Sequence, residues 1–292
     1  MREVANVNGT LSLLEDARIP ITDRGFLYGD SLYEVIIIEN GYPMFLKEHL
    51  ERMKKSAEKM RMKLTISDEE MTEEINRTIA FYGEKPQRIY CRWIITRGTG
   101  PLTLANQTQP NNFVIIVKEF PVNADPLTST VSVKVTDIQR NSDDSMDPNI
   151  KSGNYLNNIL ALDEANKDGY NECLMSRDGL LCELSRANFW LYSKGTWSTP
   201  AKHVLSGITR DKIIEALNSA GIKAEIRDIK VGELLEAEEV ALSSTTKNLY
   251  PINLVHLNGK EHSFSSRENW IKANEVILKF ISDYQKTLTP YF

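Results

Sequence analysis

Cysteine and histidine are scarce in this sequence. Its 292 residues hold three cysteines, Cys91, Cys173 and Cys182, and four histidines. The cysteines are odd in number and lack CxxC spacing, so they read as small buried hydrophobes in a reducing compartment. The histidines show neither HxH nor HExxH spacing, which leaves no metal site to expect. No apolar run approaches the length of a membrane span, and the opening MREVANVNGTLSLLEDA has no apolar stretch of the kind a secretory leader needs. A large charge of one sign is also missing: the net charge is −5, which points to neither a nucleic acid nor an anionic membrane as partner. A cytoplasmic protein is the expectation.

What is present is an ordinary globular composition, 41% hydrophobic and 26% charged, in a chain long enough for one large domain or two modest ones. Val4–Leu14 reads as a hairpin turning at Asn8-Gly9. Leu32–Glu39 is rich in β-branched residues and turns at Asn40-Gly41 into Pro43–Leu46. Lys47–Met60 carries Leu50, Met53, Ala57 and Met60 on one stripe, the pattern of an amphipathic helix. Ser67–Phe81 is a second helix, opened by Ser67 and Glu70 at capping-box spacing. Arg88–Thr96 and Asn112–Lys118 read as strands around an irregular loop, Arg97–Pro110. The two prolines of Glu119–Pro126 mark a linker, so the expected division is a small α+β domain over residues 1–118 and a larger one over 127–292. The second half is expected to hold strands at Val131–Ile138, Glu172–Ser176, Leu180–Glu183, Asn188–Tyr192, Trp197–Thr199, Ala224–Asp228 and Val240–Ser244, and helices at Tyr155–Lys167, Thr209–Ala220 and Trp270–Gln285. Strands and helices mix without strict βαβ alternation, which predicts an α+β fold.

Four local features could carry chemistry, and each has a plain alternative. Lys151 follows a polar loop and precedes Ser152-Gly153-Asn154 and an apolar helix. A lysine there can project inward, and a desolvated lysine forms an imine with an aldehyde cofactor; otherwise it is a solvated charge, as Lys54 and Lys55 are. In Leu205-Ser206-Gly207-Ile208-Thr209-Arg210 a small residue opens a helix, whose first N–H groups and dipole bind phosphate, or it is an ordinary N-cap. Ser243-Ser244-Thr245-Thr246 offers hydroxyls to a phosphate or carboxylate, or forms a Ser/Thr turn. Glu183, among Leu181, Cys182 and Leu184, needs a partner if buried: a protonated pyridine nitrogen, or an arginine in the core.

Together these features resemble, in order and spacing, the fold-type IV pyridoxal 5′-phosphate (PLP) enzymes, which include branched-chain aminotransferases, D-amino-acid aminotransferases and 4-amino-4-deoxychorismate lyases. The likeness runs from about Asn8 to about Ile252. Its first stretch is Asp23-Arg24-Gly25-Phe26-Leu27-Tyr28-Gly29-Asp30-Ser31-Leu32-Tyr33-Glu34, continuing into His49-Leu50-Glu51-Arg52-Met53 and Ser56-Ala57. The second is Lys151-Ser152-Gly153-Asn154-Tyr155 with Glu183 and Asn188-Phe189 beyond it. The third is Gly207-Ile208-Thr209-Arg210 with Ser244-Thr245-Thr246 and Pro251. Several motifs in the right order are far more specific than one short pattern.

The resemblance implies two α+β domains with PLP in the cleft between them, and a homodimer. It implies that Lys151 forms the Schiff base and shuttles the proton, that Glu183 pairs with the pyridinium nitrogen, and that Tyr155 bonds the 3′-oxygen. Arg52, Ile208, Thr209, Thr245 and Thr246 would hold the phosphate. Arg140 matches a supporting position, with a surface loop charge as its plain reading. Tyr33 and Glu34 fall where the family lines the substrate pocket. Tyr90-Cys91-Arg92 resembles the Tyr-x-Arg that holds the α-carboxylate in branched-chain aminotransferases. Thr96-Arg97-Gly98 resembles the loop start of D-amino-acid aminotransferases, placing Arg97 near substrate, but Leu102-Thr103-Leu104 stands where their Arg-x-His would follow. The expected activity is a ping-pong transfer of an amino group between an amino acid and a 2-oxo acid, L-branched-chain substrates ahead of D-amino acids. The lyase is the alternative, although it commonly carries Thr-Thr where Glu34-Val35 stands here.

Overall fold

A computed structural model describes residues 2–105, 110–122 and 124–292. Residues 106–109 of the expected loop Arg97–Pro110 and Asn123 of the expected linker lie outside the described residues. Helices and strands are mixed, in the α+β manner expected. The chain forms two compact units. One comprises Met1–Val122, Ile150–Asn154 and Thr287–Phe292; the other comprises Asn123–Asn149 and Tyr155–Lys286.

In the first unit the elements are β1 (Glu3–Val7), β2 (Thr10–Leu13), α1 (Arg24–Tyr28), β3 (Ser31–Glu39), β4 (Tyr42–Pro43), α2 (Leu46–Lys59), α3 (Asp68–Tyr82), β5 (Arg88–Thr96) and β6 (Asn112–Glu119). The six strands form an antiparallel sheet in the order β2-β1-β6-β5-β3-β4. β3 and β5 pair from Ser31–Thr96 to Glu39–Arg88. β3 is buried along almost its whole length, so it reads as a continuous apolar run rather than an alternating one. The stripe on α2 buries Leu50, Met53 and Ala57 against Ile36 and Ile38. The capping box of α3 forms: Ser67 Oγ accepts from the Glu70 N–H at 3.1 Å, and Glu70 Oε2 accepts from the Ser67 N–H at 2.8 Å. The expected strand Pro43–Leu46 is replaced by the two-residue β4 and the start of α2. α1 was not anticipated, because a five-residue helix is too short to show periodicity.

The segment Ile150–Asn154 docks against β3. The Tyr33 N–H donates to the Lys151 carbonyl at 3.1 Å, and the Gly153 N–H donates to the Ser31 carbonyl at 2.9 Å, across a bridge between Leu32 and Ser152. Gly153 suits this approach, since a Cβ there would force the Ser31 hydroxyl to turn aside.

The second unit contains β7 (Ser132–Val135), α4 (Leu156–Lys167), β8 (Glu172–Arg177), β9 (Leu180–Leu184), β10 (Asn188–Ser193), β11 (Thr196–Pro200), α5 (Ile208–Ser219), β12 (Ala224–Arg227), β13 (Glu239–Ser244), β14 (Asn248–Ile252), β15 (Leu254–Leu257), β16 (Lys260–Ser263) and α6 (Glu268–Gln285). Its strands run β12-β11-β10-β9-β8-β7-β15-β16, and β13 pairs with both β10 and β14. β10 brings three site-bearing elements to one end of the sheet: Asn188 lies opposite Glu183 of β9 and Ser243 of β13. The buried carboxylate of Glu239 caps α6, accepting from the N–H groups of Asn269 at 2.9 Å and Trp270 at 2.7 Å.

Candidate active site

On the first unit, Lys151 is held by its backbone and pointed by its neighbours. Besides the carbonyl bond to Tyr33, its own N–H donates to Ser56 Oγ of α2 at 3.2 Å. Lys151 Nζ donates to the Tyr33 phenol oxygen at 3.2 Å. The Arg92 guanidinium lies 4.0 Å from the centre of the same ring. Tyr33 pairs with Ile94 across the sheet, so Arg92, two residues along, is its diagonal neighbour on the same face. Two cations thus lie on one electron-rich ring. Arg92 Nε is buried and has no hydrogen-bond partner among the described residues, an arrangement that an anionic ligand would compensate.

Glu34 points elsewhere. Its side chain is fully buried, with Oε1 accepting from Arg52 Nε at 2.7 Å and Oε2 accepting from Arg52 Nη2 and His49 Nδ1, each at 2.7 Å. This corrects the expectation that Glu34 lines a substrate pocket. Burial opposes its ionisation, but the charge and hydrogen bonds of Arg52, and then of His49, outweigh that and hold its pKa down at about 2 against an ordinary 4.5. Burial pulls His49 below its ordinary 6.5, against the opposing pull of Glu34. His49 is therefore neutral, with its proton on Nδ1 facing the carboxylate. The His49–Glu34 pairing escaped sequence reasoning. The signal available was an acid inside the apolar run of β3, the same signal that singled out Glu183.

Arg97 is a brace. Its Nε donates to Asp30 Oδ2 at 2.8 Å, Nη1 to the Arg61 carbonyl at 3.0 Å and Nη2 to the Met60 carbonyl at 3.1 Å. Asp30 Oδ2 also accepts from Arg24 Nε at 2.9 Å. One carboxylate and two carbonyls thus hold Arg97, expected near substrate, to the framework.

On the second unit, Glu183 is buried. Its Oε1 accepts from Arg140 Nε at 2.9 Å and its Oε2 from the Leu205 N–H at 3.1 Å. Arg140 is therefore no surface charge. Each Glu183 oxygen keeps a second lone pair after these bonds. Asn188 Nδ2 donates to the Leu205 carbonyl at 2.9 Å, and a Cβ on Gly207 would collide with Asn188 Oδ1. That crowding fixes the backbone where α5 begins. Gly207 has no side chain to cap α5, so the N–H groups of Ile208 and Thr209 lack partners within the helix. Thr245 and Thr246 form the turn between β13 and β14, where Ser244 Oγ and Thr246 Oγ1 are 3.2 Å apart. Tyr155 stands at the N-terminal boundary of α4. The polar groups on the second unit suit a ligand bearing a phosphate and a basic ring nitrogen, with helix N–H donors for the first and a carboxylate acceptor for the protonated second. On the first unit, an amine and an under-bonded guanidinium suit an aldehyde and a carboxylate.

The sequence matches the family described as Amino-transferase class IV over residues 31–255. It is 30% identical to a putative branched-chain-amino-acid aminotransferase of Methanocaldococcus jannaschii, over 84% of this chain and 85% of that protein. It is also 30% identical to a D-alanine aminotransferase of Listeria monocytogenes, over 87% of each. Its fold superimposes on the crystal structure of a branched-chain aminotransferase from Thermoproteus uzoniensis with norvaline, with a TM-score of 0.87, 25% identity and 99% of both chains covered. The chain belongs to the class IV aminotransferases, and it is an enzyme of amino-group transfer.

The neutral state of His49 has a measurable consequence. In the unfolded chain the imidazole takes up a proton as pH falls through 6.5, while in the folded protein its pKa lies lower. The unfolded state then binds more protons, so stability is lost as pH falls below 6.5. Glu34 adds a loss of the same sign as pH falls from 4.5 towards about 2. In a His49→Gln variant, urea midpoints measured from pH 7 down to 5 should fall less steeply than in the wild type. Equal slopes would contradict a buried neutral imidazole.

Proposed function

We propose that this protein is a PLP-dependent transaminase that favours L-branched-chain amino acids, passing the amino group to a 2-oxo acid in ping-pong fashion. Arg92 carries the substrate reading. Its buried Nε, without a hydrogen-bond partner among the described residues and beside Lys151 and Tyr33, suits the α-carboxylate that every amino-acid donor brings. The sequence resemblance of Tyr90-Cys91-Arg92 to the branched-chain pattern supports it, as do the names of the relatives above. Those names also favour transfer over the pyruvate elimination of 4-amino-4-deoxychorismate lyase.

The residues divide the work. When bound, PLP supplies an aldehyde that takes up the amino group and a cationic ring that spreads the electron pair left at Cα. Lys151 would hold the cofactor through Nζ, and its free amine would take the proton from the substrate's Cα and return it. The Tyr33 phenol, at hydrogen-bond distance from that Nζ, steadies the amine. Glu183 keeps the proton on the ring nitrogen, with Arg140 and the Leu205 N–H fixing its carboxylate. Tyr155 bonds the 3′-oxygen. Arg52, the N–H groups of Ile208 and Thr209, the Thr209 hydroxyl, Thr245 and Thr246 hold the phosphate. The domain division is assigned on the same reading, one domain carrying Arg92 and Arg52, the other Glu183 and Thr209. A cytoplasmic setting rests on the buried free thiols of Cys91, Cys173 and Cys182.

A homodimer is part of the proposal. Leu156, Ile159 and Leu160 form a stripe at helical spacing on α4 and are 67%, 58% and 47% exposed, an apolar face that a second copy would cover. Light scattering should give twice the chain mass, and Leu156→Glu with Ile159→Glu should shift it towards monomer. A monomeric wild type at working concentration would contradict this.

Substrate choice is read from the cofactor's spectrum. Mixing the holoenzyme with single amino acids should convert the visible band to the pyridoxamine form with L-leucine or L-valine. Arg92→Leu should weaken that half-reaction by about a hundredfold, the loss of one charge-assisted carboxylate pair. Conversion by D-alanine alone would assign the enzyme to D-amino acids.

A further inference from the structure

Arg52 reaches its position through a carboxylate that makes no contact with the cofactor in the reading above. Its Nε and Nη2 both donate to Glu34 at 2.7 Å, a side-on fork that uses one edge of the guanidinium. A guanidinium in general meets two oxygens of a phosphate at matching spacing. Arginine is a long side chain with much rotamer freedom to lose. Here that freedom is removed by a carboxylate that is itself immobile. Glu34 lies inside β3, fully buried, and is held from a second direction by His49, whose ring packs edge-on to Trp93 with centroids 6.3 Å apart. His49 and Arg52 project from the same helix, α2, one turn apart.

Two effects of Glu34 on a bound phosphate oppose one another. Its negative charge offsets that of the guanidinium and repels the phosphate. Its geometry fixes the guanidinium so that no ordering cost remains at binding. We propose that the second effect wins: Glu34 is a positioning residue that aims Arg52 at the cofactor's phosphate, with His49 as a second strut, so the strength of PLP retention depends on a group remote from PLP. This rests on Arg52 being a phosphate ligand, as assigned above.

The test compares PLP with pyridoxal, which lacks the phosphate, in the full-length wild type and in Glu34→Gln, Glu34→Asp, His49→Gln and Arg52→Lys. Dissociation constants are read from the visible band after dialysis against each cofactor. Glu34→Gln should raise the PLP constant about tenfold or more, the scale of a broken buried charge pair, and leave that for pyridoxal unchanged. Glu34→Asp keeps the charge with a shorter reach and should recover part of the loss. Unchanged or tighter PLP binding in Glu34→Gln, with weaker binding in Arg52→Lys, overturns the positioning role and leaves Arg52 as a phosphate ligand. If Arg52→Lys alters neither constant, the phosphate role of Arg52 falls and this proposal with it. Should Glu34→Gln fail to fold, His49→Gln removes one strut alone, and a selective loss of PLP over pyridoxal is still required.

Discussion

The pairing of residues 150–154 with β3 is the contact on which the first-unit site depends. Two backbone hydrogen bonds, Tyr33 N–H to Lys151 C=O and Gly153 N–H to Ser31 C=O, join segments more than a hundred positions apart. They bring the Lys151 amine to the Tyr33 phenol, and the Lys151 N–H to Ser56 on α2. Backbone bonds set this placement, so it does not depend on the lysine side chain's own rotamer preferences. Gly153 leaves room for the Ser31 hydroxyl, which a Cβ would displace. The site lysine is thereby tied to the same strand that carries Tyr33 and Glu34, and the neighbouring strand carries Arg92.

Buried carboxylates recur as organising groups, and each is satisfied differently. Glu34 meets an arginine and a neutral histidine. Glu183 meets an arginine and a backbone N–H. Glu239 meets the first turn of α6. An unpaired charge in such positions would be strongly destabilising. The differing partners also divide the labour. Glu239 is spent on architecture and Glu34 on orienting Arg52. Glu183 alone is proposed to face the cofactor.

Much of this was legible in the sequence where one physical signal dominates. The stripe on α2, the capping box of α3 and the apolar runs of β3 and β5 need only local periodicity. Glu183 was found because an acid among apolar neighbours demands a partner. β14, β15 and β16 were missed because they are short and carry polar residues such as Asn248 and His256, so neither alternation nor an apolar run marks them. The docking of residues 150–154 on β3 is a pairing remote in sequence, to which no local pattern is sensitive. The same holds for the partners of arginines: Arg97 carries the same guanidinium as Arg92, and only tertiary structure reveals that Asp30 and two carbonyls occupy one while the Nε of the other has no partner among the described residues.

The central claim is that Lys151 is the lysine that holds PLP. A chemical rival exists within the chain: Lys247, beside Thr245 and Thr246, has its pKa pulled below the ordinary 10.5 by burial, and its amine lies over the Tyr250 ring. Reduction of the holoenzyme with borohydride, followed by proteolysis and mass spectrometry, distinguishes the two directly. The account predicts a single phosphopyridoxyl adduct on the peptide containing Lys151; an adduct on Lys247, or on any other lysine, would contradict it.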